Sequence, residues 1–389
     1  MSGLLRTLTL SDLTLFGFAS IIGSGGFNLI GAAVRQGGSE WSVAFGSAVL
    51  LLLGASFTYS RMFELSKDRN TKKQTNTMES DMVRSIFGPF TEWITIGGIL
   101  LFNIISISVI LVVCSHMLFP TGTWLGQILC ALGLLAGITL SSLYGMDVNA
   151  TLIDQGSTAF LILLSAVACI GFSSPFLTRE PTSSPISWKR SLLLFFFVLA
   201  GFDSLAKFTE EAKDTETIPQ SFYTSNILSM LVTLGVSMAC MYWVHLTKSN
   251  EENAIGHVLE HFLGDGVAEG FKPLVVLFTI VASFVVFLAV TRNLYRLGKS
   301  KHLPHLTWLN KENVPYVGVG IVSCISALGI LNNHTDTLVA ISDLGLIATI
   351  LLVSSSVAVA DWKQGKIREA VVSGLTAAGF GSMAGMYFS

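Results

Sequence analysis

The sequence predicts an all-α polytopic membrane protein, and three observations carry that expectation. Charged residues make up only 12% of the chain and apolar ones 51%, where a soluble domain carries about 25% charge. The mean hydropathy is +0.65. The apolar residues are also gathered into about eleven runs near the ~20 residues that cross a bilayer, with short polar connections between them. The lipid bilayer is therefore the expected surrounding. A formal net charge of −2, without a basic tail or a patch of alternating basic and aromatic residues, argues against a nucleic-acid partner.

Met1 to Asp12 leave a short N-terminal approach to segment 1, Leu13 to Val34, which Arg35-Gln36-Gly37-Gly38 closes. This first run is long and lacks a clear small-residue cleavage site, so it is expected to stay as the first span. Segment 2 covers Trp41 to Tyr59 and leads into the most polar stretch, Arg61 to Arg84. Segment 3, Ile86 to Leu118, is longer than one span needs and is expected to tilt or run along the interface. Pro120 and Gly122 turn the chain into segment 4, Leu125 to Leu143, and Tyr144-Gly145-Met146-Asp147 connect it to segment 5, Thr151 to Phe172. A Ser/Pro/Thr-rich loop, Ser173 to Ser187, separates two halves.

Segment 6, Trp188 to Phe208, carries Gly201 and Asp203 inside an apolar run, and segment 7 is Ser221 to Val244. Between Asn250 and Gly270, Ile255, Val258, Leu259 and Phe262 recur at helical spacing, which predicts an amphipathic helix lying over the membrane. Pro273 to Leu294, Val317 to Leu331, Leu338 to Ala360 and Ala370 to Phe388 complete the eleven. Placing the N-terminus in the cytoplasm puts seventeen of the 23 Lys and Arg residues on the inner side, as the positive-inside rule prefers. The five cysteines (Cys114, Cys130, Cys169, Cys240, Cys324) lie in apolar runs without metal or disulfide spacing. They read as small core residues. The seven histidines are scattered, and no nucleophile stands beside a base, so no catalytic residues, no metal site and no enzyme are expected.

Two runs are interrupted. In segment 1, Ile21-Ile22-Gly23-Ser24-Gly25-Gly26-Phe27 places three glycines within four residues. Each glycine costs a helix about 1 kcal/mol relative to alanine, and lipid offers no water to the backbone groups that are freed. The cluster serves either close helix packing through small residues or a broken helix whose backbone meets a ligand. Segment 6 is interrupted five segments later by Gly201 and Asp203. A carboxylate inside a span is paired, hydrated or protonated, so Asp203 is a candidate for proton coupling or gating, with a purely structural carboxylate as the alternative.

Three motifs fall in order along the chain. They are Ile22-Gly23-Ser24-Gly25-Gly26-Phe27; Gly201-Phe202-Asp203-Ser204 with Phe208-Thr209-Glu210-Glu211 and Ile218-Pro219; and Thr291-Arg292-Asn293-Leu294-Tyr295 with Leu303-Pro304 and Val314-Pro315. Together they resemble the amino acid–polyamine–organocation (APC) superfamily of permeases. The second is similar to the cationic amino acid and GABA/choline-type branches. The resemblance covers nearly the whole chain. It implies a LeuT-type fold of two inverted five-helix repeats, residues 13–172 and 188–360, with an additional helix at 370–388. It further implies a secondary transporter of amino acids, a symporter or antiporter, working by alternating access.

An amino acid presents a carboxylate and an ammonium on one carbon. The positive end of a half-helix suits the carboxylate, through the amides of Ser24, Gly25 and Gly26. The resemblance assigns the ammonium to the carbonyls of Ile21 and Ile22 and of Phe197, Val198 and Ala200, with Gly23 and Gly201 admitting the ligand to the backbone. It makes Phe197 an aromatic lid, against a lipid-facing role as the alternative, and Glu210 and Glu211 inner-gate candidates. No cofactor is implied. Proton coupling is the first expectation and sodium the second, since only Thr279, Ser283 and Thr291 offer hydroxyls on segment 8; segment 5 lacks the lysine found in some proton-coupled members. Asp154 and Asp343 are expected to be hydrated at span ends, and Asn103 lines the pathway or joins helices. Polyamine or other organocation transport and non-transporting amino acid sensing are the rival readings.

Overall fold

The computed structural model describes residues 8–23, 29–68, 78–119, 122–144, 146–173, 187–208, 212–214, 216–247, 254–264, 266–299, 303–332 and 335–387. Among them the elements are helical, apart from one parallel bridge between Leu8 and Ala212. Helix α1 (Leu10–Gly23) begins at a capping box in which Asp12 accepts from the Thr9 amide at 2.7 Å, satisfying an N-terminal donor. Helix α2 (Leu29–Gly37) and a 3-10 turn (Gly38–Glu40) lead into α3 (Trp41–Asp68). Next come α4 (Met78–Phe87), α5 (Pro89–Leu118), α6 (Trp124–Ser142, capped by Thr123) and α7 (Met146–Ser173). Helix α8 (Trp188–Leu199, capped by Ser187) gives way to a 3-10 turn, Phe202–Phe208. The rest are α9 (Thr217–Thr247), α10 (Ala254–Leu263), α11 (Val267–Lys299), α12 (Tyr316–Asn332), α13 (Thr335–Lys363) and α14 (Ile367–Tyr387).

Among the described residues, eight helical stretches are long and apolar enough to cross a membrane, and α1 and α12 are shorter apolar helices. The chain is an integral, multi-pass, all-α membrane protein. Leu129, Leu140, Leu328 and Leu375 are each at least 60% exposed. Apolar side chains on an outer surface are the expected complement of lipid. Inside, polar side chains stitch the helices. Ser106 meets Ser342 at 3.0 Å, Asn226 donates to Ser56 at 2.9 Å, and Thr139 meets Ser323 at 2.8 Å.

Helix boundaries differ from expectation where the local backbone or a distant charge decides them. The expected segment Ile86–Leu118 divides at Gly88, whose φ of +93° and following Pro89 stop α4 and start α5. Part of the expected polar connection is thus the amphipathic helix α4. Helix α3 continues past Tyr59 to Asp68. It can do so because Arg61 pairs with buried Asp361 of α13 at 2.6 Å. Helix α10 packs against α9 and α11, burying Ile255, Val258 and Leu259 while Phe262 stays 48% exposed. Helix α11 starts six residues before Pro273.

The centre of the bundle is built from the two interrupted segments. Helix α1 packs on α7, α9 and α11, and α8 lies between α2 and α3. Leu13, Phe16, Phe18, Ile21 and Ile22 of α1, and every residue from Phe195 to Phe202, are buried.

Candidate functional site

The break in the second interrupted segment begins at Ala200. Its backbone is extended (φ −72°, ψ 159°) and its amide donates to the Phe197 carbonyl at 3.3 Å. Gly201 follows with φ +117°, a conformation that L side chains rarely adopt. Its surroundings demand glycine too, since a Cβ there would lie 2.6 Å from the Ser20 carbonyl oxygen. The Ser20 hydroxyl lies 3.1 Å from the Gly201 carbonyl oxygen and 3.0 Å from Ser204 Oγ. The break is therefore clasped to α1 one residue before Ile21.

Ile21 and Ile22 are buried, and Gly23 ends α1. Ser24, Gly25 and Gly26 lie outside the described residues, as do Glu210 and Glu211. Phe195, Phe196 and Phe197 are all fully buried, which removes the lipid-facing alternative. They point at different neighbours. Phe195 meets Phe45 of α3 at 5.3 Å and Phe196 meets Phe380 of α14 at 5.6 Å. Phe197 clusters with Val109 and Leu338, beside Leu29, the first residue of α2. Val198 is buried as well.

Asp203 is fully buried and its charge is answered. Lys207, one turn on, pairs through Nζ with Asp203 Oδ2 and donates to the Asp203 carbonyl at 2.8 Å. Asn103 of α5 donates to Oδ2 at 3.4 Å and to the Ile99 carbonyl at 2.8 Å, so it is held by its own helix and aimed at the break. Glu79 of α4 places Oε1 3.6 Å from Lys207 Nζ. Tyr59 of α3 stacks edge-on against Phe202 at 5.2 Å with its hydroxyl buried. Among the described residues, Asp203 Oδ1, Glu79 Oε1, Asn103 Oδ1 and the Tyr59 hydroxyl form no hydrogen bond. Four elements thus converge on one buried, acceptor-rich cluster beside the break.

Sequence reasoning missed Lys207 and Glu79: the first was only one of the seventeen positive charges placed on the inner side, and the second was part of the polar stretch from Arg61 to Arg84. The available signal was the four-residue spacing of Asp203 and Lys207, which brings the two together along one turn. Arg296 of α11 was also missed as a buried group; its Nη1 donates to the Ala206 carbonyl at 2.9 Å. Asp343 departs from the expectation of interfacial hydration. It is buried and accepts from the Tyr387 hydroxyl at 2.5 Å, because α14 folds back over α13. Asp154 is half-buried on α7. The α11 hydroxyls donate to their own helix: Thr279 to Val275 at 2.7 Å, Ser283 to Thr279 at 2.8 Å and Thr291 to Leu288 at 2.8 Å.

A comparison with curated proteins returns no match. Residues 8–388 match the family model described as amino acid permease.

Proposed function

The chain belongs to the amino acid permease family, a family of transporters, and from that premise we propose that it is a secondary amino acid transporter working by alternating access. Substrate binds between the end of α1 and the break after α8. The observation that carries this reading is the clasp of Gly201 against Ser20, which sets the two interrupted segments in contact. The carboxylate is received by the amides of Ser24, Gly25 and Gly26, with Gly23 leaving the approach to the backbone open. The ammonium is received by carbonyls at Ile21, Ile22, Phe197, Val198 and Ala200, with Phe197 closing over it. Residues 13–172 and 188–360 act as the two inverted repeats, and Glu210 and Glu211 shape the inner gate.

Coupling is to protons through the buried cluster at Asp203. The observation that supports protons is that the cluster gathers carboxylates in the core. With Asp203 Oδ2 bonded to Lys207, the site has less need of a cationic substrate, which disfavours the polyamine reading.

The test is uptake by proteoliposomes of radiolabelled amino acids and polyamines, with and without proton and sodium gradients. The Gly25→Leu variant serves as the control. Uptake of an amino acid that the variant abolishes is the expected result. Binding without movement would replace transport with sensing, and uptake of polyamines alone would move the substrate class to organocations.

A further inference from the structure

Asp203 is the carboxylate that the sequence singles out, yet its surroundings already serve its ionised form. Lys207 contacts both its side chain and its backbone carbonyl, and Asn103 adds a donor. Glu79 stands differently. It is 4% exposed, and its Oε1 lies 3.6 Å from Lys207 Nζ, beyond hydrogen-bond reach. Two carboxylates and one ammonium leave the buried trio one negative charge in excess, and an uncompensated buried charge is costly.

Among the described residues, the other charges around α4 have partners. Glu92 of α5 pairs with Arg84 at 3.2 Å, Asp361 of α13 with Arg61 of α3 at 2.6 Å, and Asp343 of α13 with Tyr387 at 2.5 Å. Arg296 of α11 reaches the Ala206 carbonyl. Tyr59 of α3 carries no positive charge, and its buried hydroxyl forms no hydrogen bond among the described residues, so it supplies no counter-charge.

We propose that Glu79, not Asp203, is the proton-binding site of this chain, and that Lys207 is the latch the proton releases. This rests on the transporter reading above. With Glu79 ionised, Lys207 is drawn between the two carboxylates and ties α4 to the 3-10 turn after α8. A hydronium ion on one side gives its proton to Glu79 Oε1, where an O–H bond forms. Lys207 then belongs to Asp203 alone, and the turn is free to part from α4. When the site opens to the other side, the carboxyl returns its proton to water and the latch re-forms. No oxidant or further reactant is needed.

The test reads the proton without any substrate. Infrared difference spectra of the full-length protein in liposomes are recorded between about pH 8 and about pH 6, where exposed carboxylates stay ionised. A protonated-carboxyl band that moves with ¹³C-glutamate labelling is expected to appear on acidification and to vanish in Glu79→Gln; buried Asp343 is a separate contributor that moves only with ¹³C-aspartate labelling. In Lys207→Met the two like charges lose the ammonium between them, and the band is expected to persist at the alkaline end of the range. The labelling arm needs no variant and separates glutamate from aspartate even where a substitution prevents folding; Glu92→Gln, which removes the other buried glutamate of this region, is expected to keep the band. The absence of any band that moves with ¹³C-glutamate labelling overturns the proposal. In the uptake assay, the ratio of accumulation with and without a proton gradient is expected to collapse to about one in Glu79→Gln; a preserved ratio overturns the coupling role. If no amino acid is moved by the parent protein, the transporter reading fails while the infrared result still reports on Glu79.

Discussion

Replacing Gly201 with alanine attacks the clasp between the interrupted segments by a single methyl group. The φ of +117° costs a residue with a side chain on the order of 1–3 kcal/mol. The new Cβ would stand 2.6 Å from the Ser20 carbonyl oxygen, a backbone atom within a packed helix, so relief requires α1 to move. Overpacking of this kind costs about 1–3 kcal/mol. That movement also stretches the 3.1 Å contact between the Ser20 hydroxyl and the Gly201 carbonyl, which is worth about 0.5–1.5 kcal/mol. Together the change amounts to about 5 kcal/mol. An unfolding entropy of about 2 cal/mol/K per residue gives a slope of about 0.8 kcal/mol/K for a chain of this size, so the melting temperature falls by about 6 °C. Uptake falls at least tenfold, since a misfit of about 1.4 kcal/mol at the site suffices for that. Gly97→Ala is the matched control, because nothing stands within 4 Å of its added Cβ, and it is expected to melt within about 1 °C of the parent. Gly201→Ala melting and transporting like Gly97→Ala would refute the claim that the break is held rigidly against α1.

Asp361→Asn leaves Arg61 with Glu64 as its one carboxylate partner among the described residues and destabilises by about 3 kcal/mol, read as a drop of about 4 °C in melting temperature; replacing both members of the Arg61–Asp361 pair by apolar residues restores most of it. Glu260 responds to pH. The Gly266 amide donates to it at 3.1 Å and the His257 ring lies 3.1 Å away, and these contacts hold its carboxyl below the ordinary 4.5. A carboxyl held low in the folded state contributes stability above its ordinary value, and that contribution is lost as pH falls through the lowered one. Hydrogen exchange at the end of α10, corrected for intrinsic rates, is therefore expected to lose protection across that acidic window in the parent and to show no such step in Glu260→Gln.

Hydropathy made the helices legible because lipid imposes a length and a polarity that each segment must meet alone. Gly201 and Asp203 stood out for the same reason, as departures from that local rule. What hydropathy could not convey is which distant group answers each departure. Ser20 lies 181 residues from Gly201, Asn103 lies 100 from Asp203, and Arg61 lies 300 from Asp361. A polar residue near the end of an apolar run has the same local sequence whether water or a buried counter-charge receives it. Lys207 and Glu79 were misjudged on that account, and α3 was ended too early at Tyr59. The three phenylalanines before the break were ambiguous in the opposite sense. Only the packing of α3, α14, α5 and α13 around them shows that none faces lipid.

The clasp at Ser20 also sets the order in which the molecule can be made. Helix α1 has 14 residues, a length of about 21 Å against an apolar core about 30 Å thick, so it cannot span by itself. Its main partners come late: Gly201 and Ser204, the bridge from Leu8 to Ala212, and Thr224, which Thr14 meets at 2.9 Å. A ribosome adding 5–20 residues per second needs on the order of 10–40 s to cover the 181 residues from Ser20 to Gly201. Through that interval the first helix waits in the membrane with its inward face open to lipid or to whatever machinery shelters it. Its permanent neighbours are among the later parts of the chain to be synthesised.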